Sequence, residues 1–121
     1  MNKQIGKVDR KVIDILGLGY DEEVPIFIGE NNIRHMQEKH YEDFVRYGND
    51  IKEIILKPTY IARNPKQGSI EYIKEYMVDD ELVLVAVRAS NKRTMFVKTL
   101  FTMSENKKNI YLRKGYAKKY E

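Results

Sequence analysis

Two histidines stand five positions apart in the run His35-Met-Gln-Glu-Lys-His40, and the chain has no other imidazole. On a helix, five residues turn the side chain by roughly 140°, so this pair cannot grip one metal as an i, i+4 pair would. No glutamate follows His35 in the manner of a zinc protease. With Ile33 set to zero, Met36, His40, Phe44 and Tyr47 fall within about 60° of it. His40 therefore belongs to an apolar stripe facing a sheet, whereas His35, Lys39, Glu42 and Arg46 share the wetter side. His40 is either a core histidine satisfied by a carbonyl or tyrosine, or a proton-exchanging imidazole aimed at an anion. Further along, Arg88 ends the apolar run Leu82-Val-Leu-Val-Ala-Val. By alternation it shares a face with Leu82, Leu84 and Ala86, where a cation must reach water, a carboxylate or an anionic ligand. Lys98 and Thr99 point to opposite faces by the same rule, so only one of them can join Arg88. Tyr60, Tyr72, Tyr76 and Tyr111 offer stacking surfaces or ordinary cross-strand packing.

Two imidazoles, one or two strand cations, a threonine and no metal-ligand set suffice for one reaction class. Cleavage of RNA by its own 2′-hydroxyl needs a base for the 2′ proton, an acid for the 5′ oxygen and cations for the phosphorane charge. The substrate supplies the nucleophile, so neither cofactor nor metal is expected. The chain contains no cysteine, which removes thiolate catalysis, zinc fingers, iron–sulfur ligation and disulfides. Charge points to the same partner. Ten of the 22 Lys/Arg residues but only two of the 18 Asp/Glu residues lie in 88–121, leaving that segment at +8 and the rest at −4. Clustered cations attract phosphates and release counterions.

The 121 residues make room for one domain, 1–121. No apolar run approaches the roughly 20 residues that span a bilayer, and no signal-length stretch opens the chain, so a cytoplasmic protein without membrane contact is expected. Val8–Leu16 has helical spacing with Gly17 as its stop. Val24–Ile28, holding Pro25, reads as an edge strand or extended lead-in. Asn31 or Asn32 caps a second helix reaching Tyr47, which Gly48 ends, and 50–56 forms another before Pro58. Extended segments follow at 59–63, 69–78, 82–89 and 94–103, with turns at 64–68, 79–81 and 91–93. Ser104–Asn109 reads as a polar loop before a last strand near Ile110–Arg113. These elements predict an α+β fold. N-terminal helices precede a four-stranded, or slightly larger, antiparallel β-meander, and pack on one of its faces.

Three stretches, Ile33-Arg-His-Met-Gln-Glu-Lys-His40, Ile51-Lys-Glu-Ile-Ile-Leu-Lys-Pro-Thr-Tyr-Ile61 and Ser69-Ile-Glu-Tyr-Ile-Lys74, together resemble the phage-associated nuclease domains of the barnase–EndoU–colicin–RelE superfamily. Leu82–Arg88 and Met95–Phe101 fit its pattern of a strand ending in a basic residue beside a strand carrying a threonine. The likeness covers about residues 8–116. It implies N-terminal helices on a four-stranded antiparallel sheet and metal-independent endoribonuclease activity in phage, mobile-element or toxin settings, with RNA as substrate and an immunity or antitoxin protein as a partner. Carried over by position, the catalytic candidates are His40, His35, Arg88 and Thr99. Lys39, Lys98, Tyr60 and Arg113 are the candidates for holding substrate. Two other readings compete: a non-catalytic nucleic-acid-binding module, and an interaction domain of a phage particle or mobile element whose basic tail meets an acidic partner.

Overall fold

The computed structural model describes residues 2–66, 68–90 and 93–121. It contains strand β1 (Lys3–Val8), helix α1 (Arg10–Leu16), strand β2 (Val24–Ile28), helices α2 (Glu30–Lys39), α3 (Tyr41–Tyr47) and α4 (Ile51–Leu56), strands β3 (Tyr60–Arg63), β4 (Ile70–Tyr76), β5 (Glu81–Ala89) and β6 (Met95–Met103), helix α5 (Glu105–Arg113) and strand β7 (Ala117–Lys119). Local signals account for several boundaries. The Asp9 carboxylate caps α1 by accepting from the Val12 N–H at 2.8 Å, and Gly17 closes the helix at φ 66°, in the left-handed region that glycine tolerates. Gly48 acts differently from the sequence expectation. It is right-handed helical (φ −59°), and the chain runs on through a 3₁₀ turn, Gly48–Asp50, into α4.

The sheet has seven strands in the order β1-β2-β6-β5-β4-β3-β7, so the predicted four-stranded meander is its centre and not its extent. β3 to β6 pair antiparallel as expected, but β2 runs parallel to β6, at Ile26↔Met95 and Phe27↔Phe96. β1 precedes all the helices; it is an edge strand whose only buried residue is Val8, so no apolar alternation announced it. Of the 91–93 turn, Asn91 and Lys92 lie outside the described residues.

Both sheet faces are covered. Val83, Val85 and Val87 of β5 pack with Tyr72, Leu100 and residues of α1, α2 and α4 in the main core. Leu82, Leu84 and Ala86 face the other way, into a smaller core with Ile73, Met103 and Tyr111. Tyr111 belongs to α5, which forms where a loop and a strand were expected. Ser104 caps this helix by accepting from the Lys107 N–H at 3.1 Å. The helices are thus not confined to one face. Helices α2 and α3 occupy a third position. β2 covers only the first rungs of β6, and beyond them the Asp43 carboxylate of α3 accepts from the Thr102 N–H at 3.0 Å. A helix pair therefore takes the place of a strand along that edge. Among the described residues, no helix is long and apolar enough to cross a membrane.

Candidate active site

One rung of the sheet forms the bed of a cleft on the smaller-core face. Glu71 of β4 is opposite Ala86 of β5, and Ala86 is opposite Thr99 of β6. Adjacent strands lie about 4.8 Å apart, so the small Ala86 leaves an open floor between the two polar side chains. The register of β6 slips at this point: Val87 faces Val97 while Ala86 faces Thr99, and Lys98 is the extra residue of a β-bulge. A bulge breaks the alternation, and Lys98 and Thr99 both line the cleft. The expectation that only one of them could do so is corrected by this one-residue insertion.

His35 and His40 also share this cleft, which one continuous helix would not allow. The angle between them assumed one helix, but the backbone leaves helical geometry at His40 (φ −141°, ψ 56°), between α2 and α3. The break lets His35, Lys39 and His40 all line the same cleft, with Asn64, Phe101 and Lys107. The His40 ring lies 5.4 Å from that of Phe101, tilted by 34°. Lys107 Nζ, brought in by α5, stands 5.3 Å from the same ring, a cation–π distance. His40 is half-buried, whereas His35 and Lys39 are exposed at the rim.

Glu71 is the deepest group, with 5% of its surface exposed. Burial pushes its carboxyl above the ordinary carboxylate range, against the opposing pull of hydrogen bonds from Tyr111 and Asn64 and of the charges of Lys107 and Lys98. Its Oε1 has no hydrogen-bond partner, and neither has Thr99 Oγ1. Lys98 is held below its usual value, first by burial and then by the neighbouring Arg88 charge. Tyr111 is pushed up to about 12 by burial and by Glu71.

Of the residues proposed from sequence, His35, His40, Lys39, Lys98 and Thr99 meet at the cleft. Arg88 is exposed on the same face beyond it, close enough for its charge to act on Lys98. Tyr60 is packed in the smaller core, 5.8 Å from Lys108 Nζ, and Arg113 is exposed on α5; neither lines the cleft. Sequence reasoning overlooked Glu71, Asn64, Phe101 and Lys107. Glu71 carried a signal, being a charge between Ile70 and Tyr72 in an apolar strand, the same anomaly that singled out Arg88.

The cleft has a volume of about 390 Å³. A larger groove of about 1090 Å³ lies elsewhere, but Asp21, Glu22 and Glu23 line it and would repel a polyanion. Among the described residues, no group of three or more His, Cys, Asp or Glu is placed to hold a metal ion.

Imidazole, carboxyl and ammonium groups side by side on a sheet bed are a set that phosphodiester chemistry can use. A family model described as phage-Barnase-EndoU-ColicinE5/D-RelE like nuclease 3 matches residues 3–110. The chain belongs to that nuclease family, in agreement with the resemblance found in the sequence. No curated protein and no solved structure matches the chain.

Proposed function

We propose that this domain is a metal-independent endoribonuclease that cleaves RNA through attack of the 2′-hydroxyl on the adjacent phosphate. The observation that carries the reading is the buried Glu71 with an unpartnered oxygen, in one cleft with two histidines and three lysines. A carboxylate made more basic by burial is suited to take the 2′ proton. His40, steadied on Phe101, is suited to protonate the departing 5′ oxygen, with His35 at the rim as its alternate. Lys98 and Lys107 balance charge on the phosphorane, the Thr99 hydroxyl donates to a non-bridging oxygen, and Lys39 and Arg88 attract the flanking phosphates. DNA lacks the nucleophile and is not cleaved.

The test is incubation of purified protein with labelled single-stranded RNA in excess EDTA. Products ending in a 2′,3′-cyclic phosphate are expected, with a loss of about 10²-fold or more in His40→Ala at unchanged thermal stability. Cleavage abolished by EDTA refutes metal independence. Salt-sensitive binding without cleavage favours the binding-module reading.

A further inference from the structure

Asn64 forms a wall of two cavities. One is the cleft above; the other, also about 390 Å³, is lined by Arg63, Gly68, Gly115, Tyr116 and Lys118 among others, with no acidic residue among the described ones. Arg63 and Lys118 are exposed, and neither pairs with a carboxylate among the described residues. The walls are tied together: the Arg63 N–H donates to the Tyr116 carbonyl at 3.2 Å, and the Asn64 N–H donates to that of Ser69 at 2.9 Å. Gly68 and Gly115, at φ 69° and 77°, leave open space where a Cβ would stand. The half-buried Tyr116 ring has Lys114 Nζ 5.9 Å from its centroid. It meets Tyr111 edge-on at 5.8 Å, and Tyr111 is in turn hydrogen-bonded to Glu71.

We propose that this second cavity is a subsite for the RNA strand flanking the scissile phosphate, where Arg63 and Lys118 hold a phosphate and Tyr116 stacks on a base. Unpaired cations around an aromatic surface form the usual platform for a single strand. The site also gives a task to Lys118, one of the C-terminal cations that do not line the cleft. A substrate that fills both cavities is a polynucleotide, not a dinucleotide.

The inference rests on the ribonuclease reading of the cleft, so its test separates the two. Arg63→Ala/Lys118→Ala is compared with the parent protein on a dinucleotide and on an oligonucleotide spanning both cavities, each with one cleavable ribonucleotide. The expected result is a KM raised roughly tenfold for the long substrate only, with a salt dependence flatter by about 0.7 per lost phosphate contact. Equal effects on both substrates, or none on either, overturn the subsite. Binding of the same long strand, fully 2′-O-methylated, is measured in parallel by fluorescence anisotropy. If the parent protein cleaves nothing but the double variant still binds this strand more weakly, the subsite stands and the ribonuclease reading falls. Unchanged binding overturns the subsite whatever the cleavage result.

Discussion

Replacing Glu71 with glutamine keeps the shape of the side chain and removes its charge, and the structure fixes the sign of the consequence. Burial raises the folded carboxyl above its ordinary value of 4.5. A carboxyl whose folded pKa is raised binds more protons when native. The stability it contributes is full below 4.5 and is lost as pH climbs through the folded value. Above that folded value the native protein holds a charged group at a site that disfavours it. Glutamine also places a polar atom at the unpartnered Oε1 position, so what the substitution relieves is the cost of burying the charge. Lys98 and Lys107 offset part of that, and the open cleft admits water, which puts the expected gain for Glu71→Gln near 1 kcal/mol. For a domain of this size the gain is a rise in Tm of roughly 3–5 °C. At pH 4 the two proteins should melt together, because both then carry a neutral side chain. Cleavage should fall by about 10²-fold or more, the exchange of stability for activity common at functional sites. Paired melts and rate measurements across this range decide it. A glutamine variant less stable at pH 8, or a gap indifferent to pH, would refute the argument.

Tyr111→Phe removes a hydrogen bond that lowers the Glu71 pKa, so the acid limb of the kcat/KM profile should move to higher pH; an unmoved limb would assign the base elsewhere. Tyr72 is fully buried with an unpartnered hydroxyl on the opposite sheet face, and Tyr72→Phe should stabilise by about 1 kcal/mol in urea titration with cleavage unchanged. Asp43→Ala strips the Thr102 N–H of its acceptor; a loss of about 2 kcal/mol is expected, with faster hydrogen exchange at that amide. Slow exchange there would show that α2–α3 is held by packing alone.

Periodicity revealed the elements whose apolar faces are regular, namely α1 with its Gly17 stop and strands β2 to β6. It failed where tertiary contacts decide. Nothing local marks the break at His40, with neither glycine nor proline there; the chain turns because α3 must follow the open edge of β6. α5 did leave signs, with Ser104 as cap, Glu105 in its first turn and Arg113 in its last, but its length and charge disguised them as a loop. The bulge shows only as a three-residue step between Val97 and Leu100, two apolar residues that share the main-core face. The histidines, Arg88 and Thr99 stood out as chemistry in the sequence, but the gathering of Glu71, Lys98 and Lys107 needed the register.

The insertion in β6 has an unusual logic. Without residue 98, Val97, Thr99, Leu100 and Phe101 would fall into regular alternation, each keeping the face it has now. Lys98 has no residue opposite it in β5, so its ammonium is carried by a position outside the residue-for-residue pairing. Architecture and reactivity are separable at that point, and a chain shortened there by one residue would keep its sheet while giving up a cation.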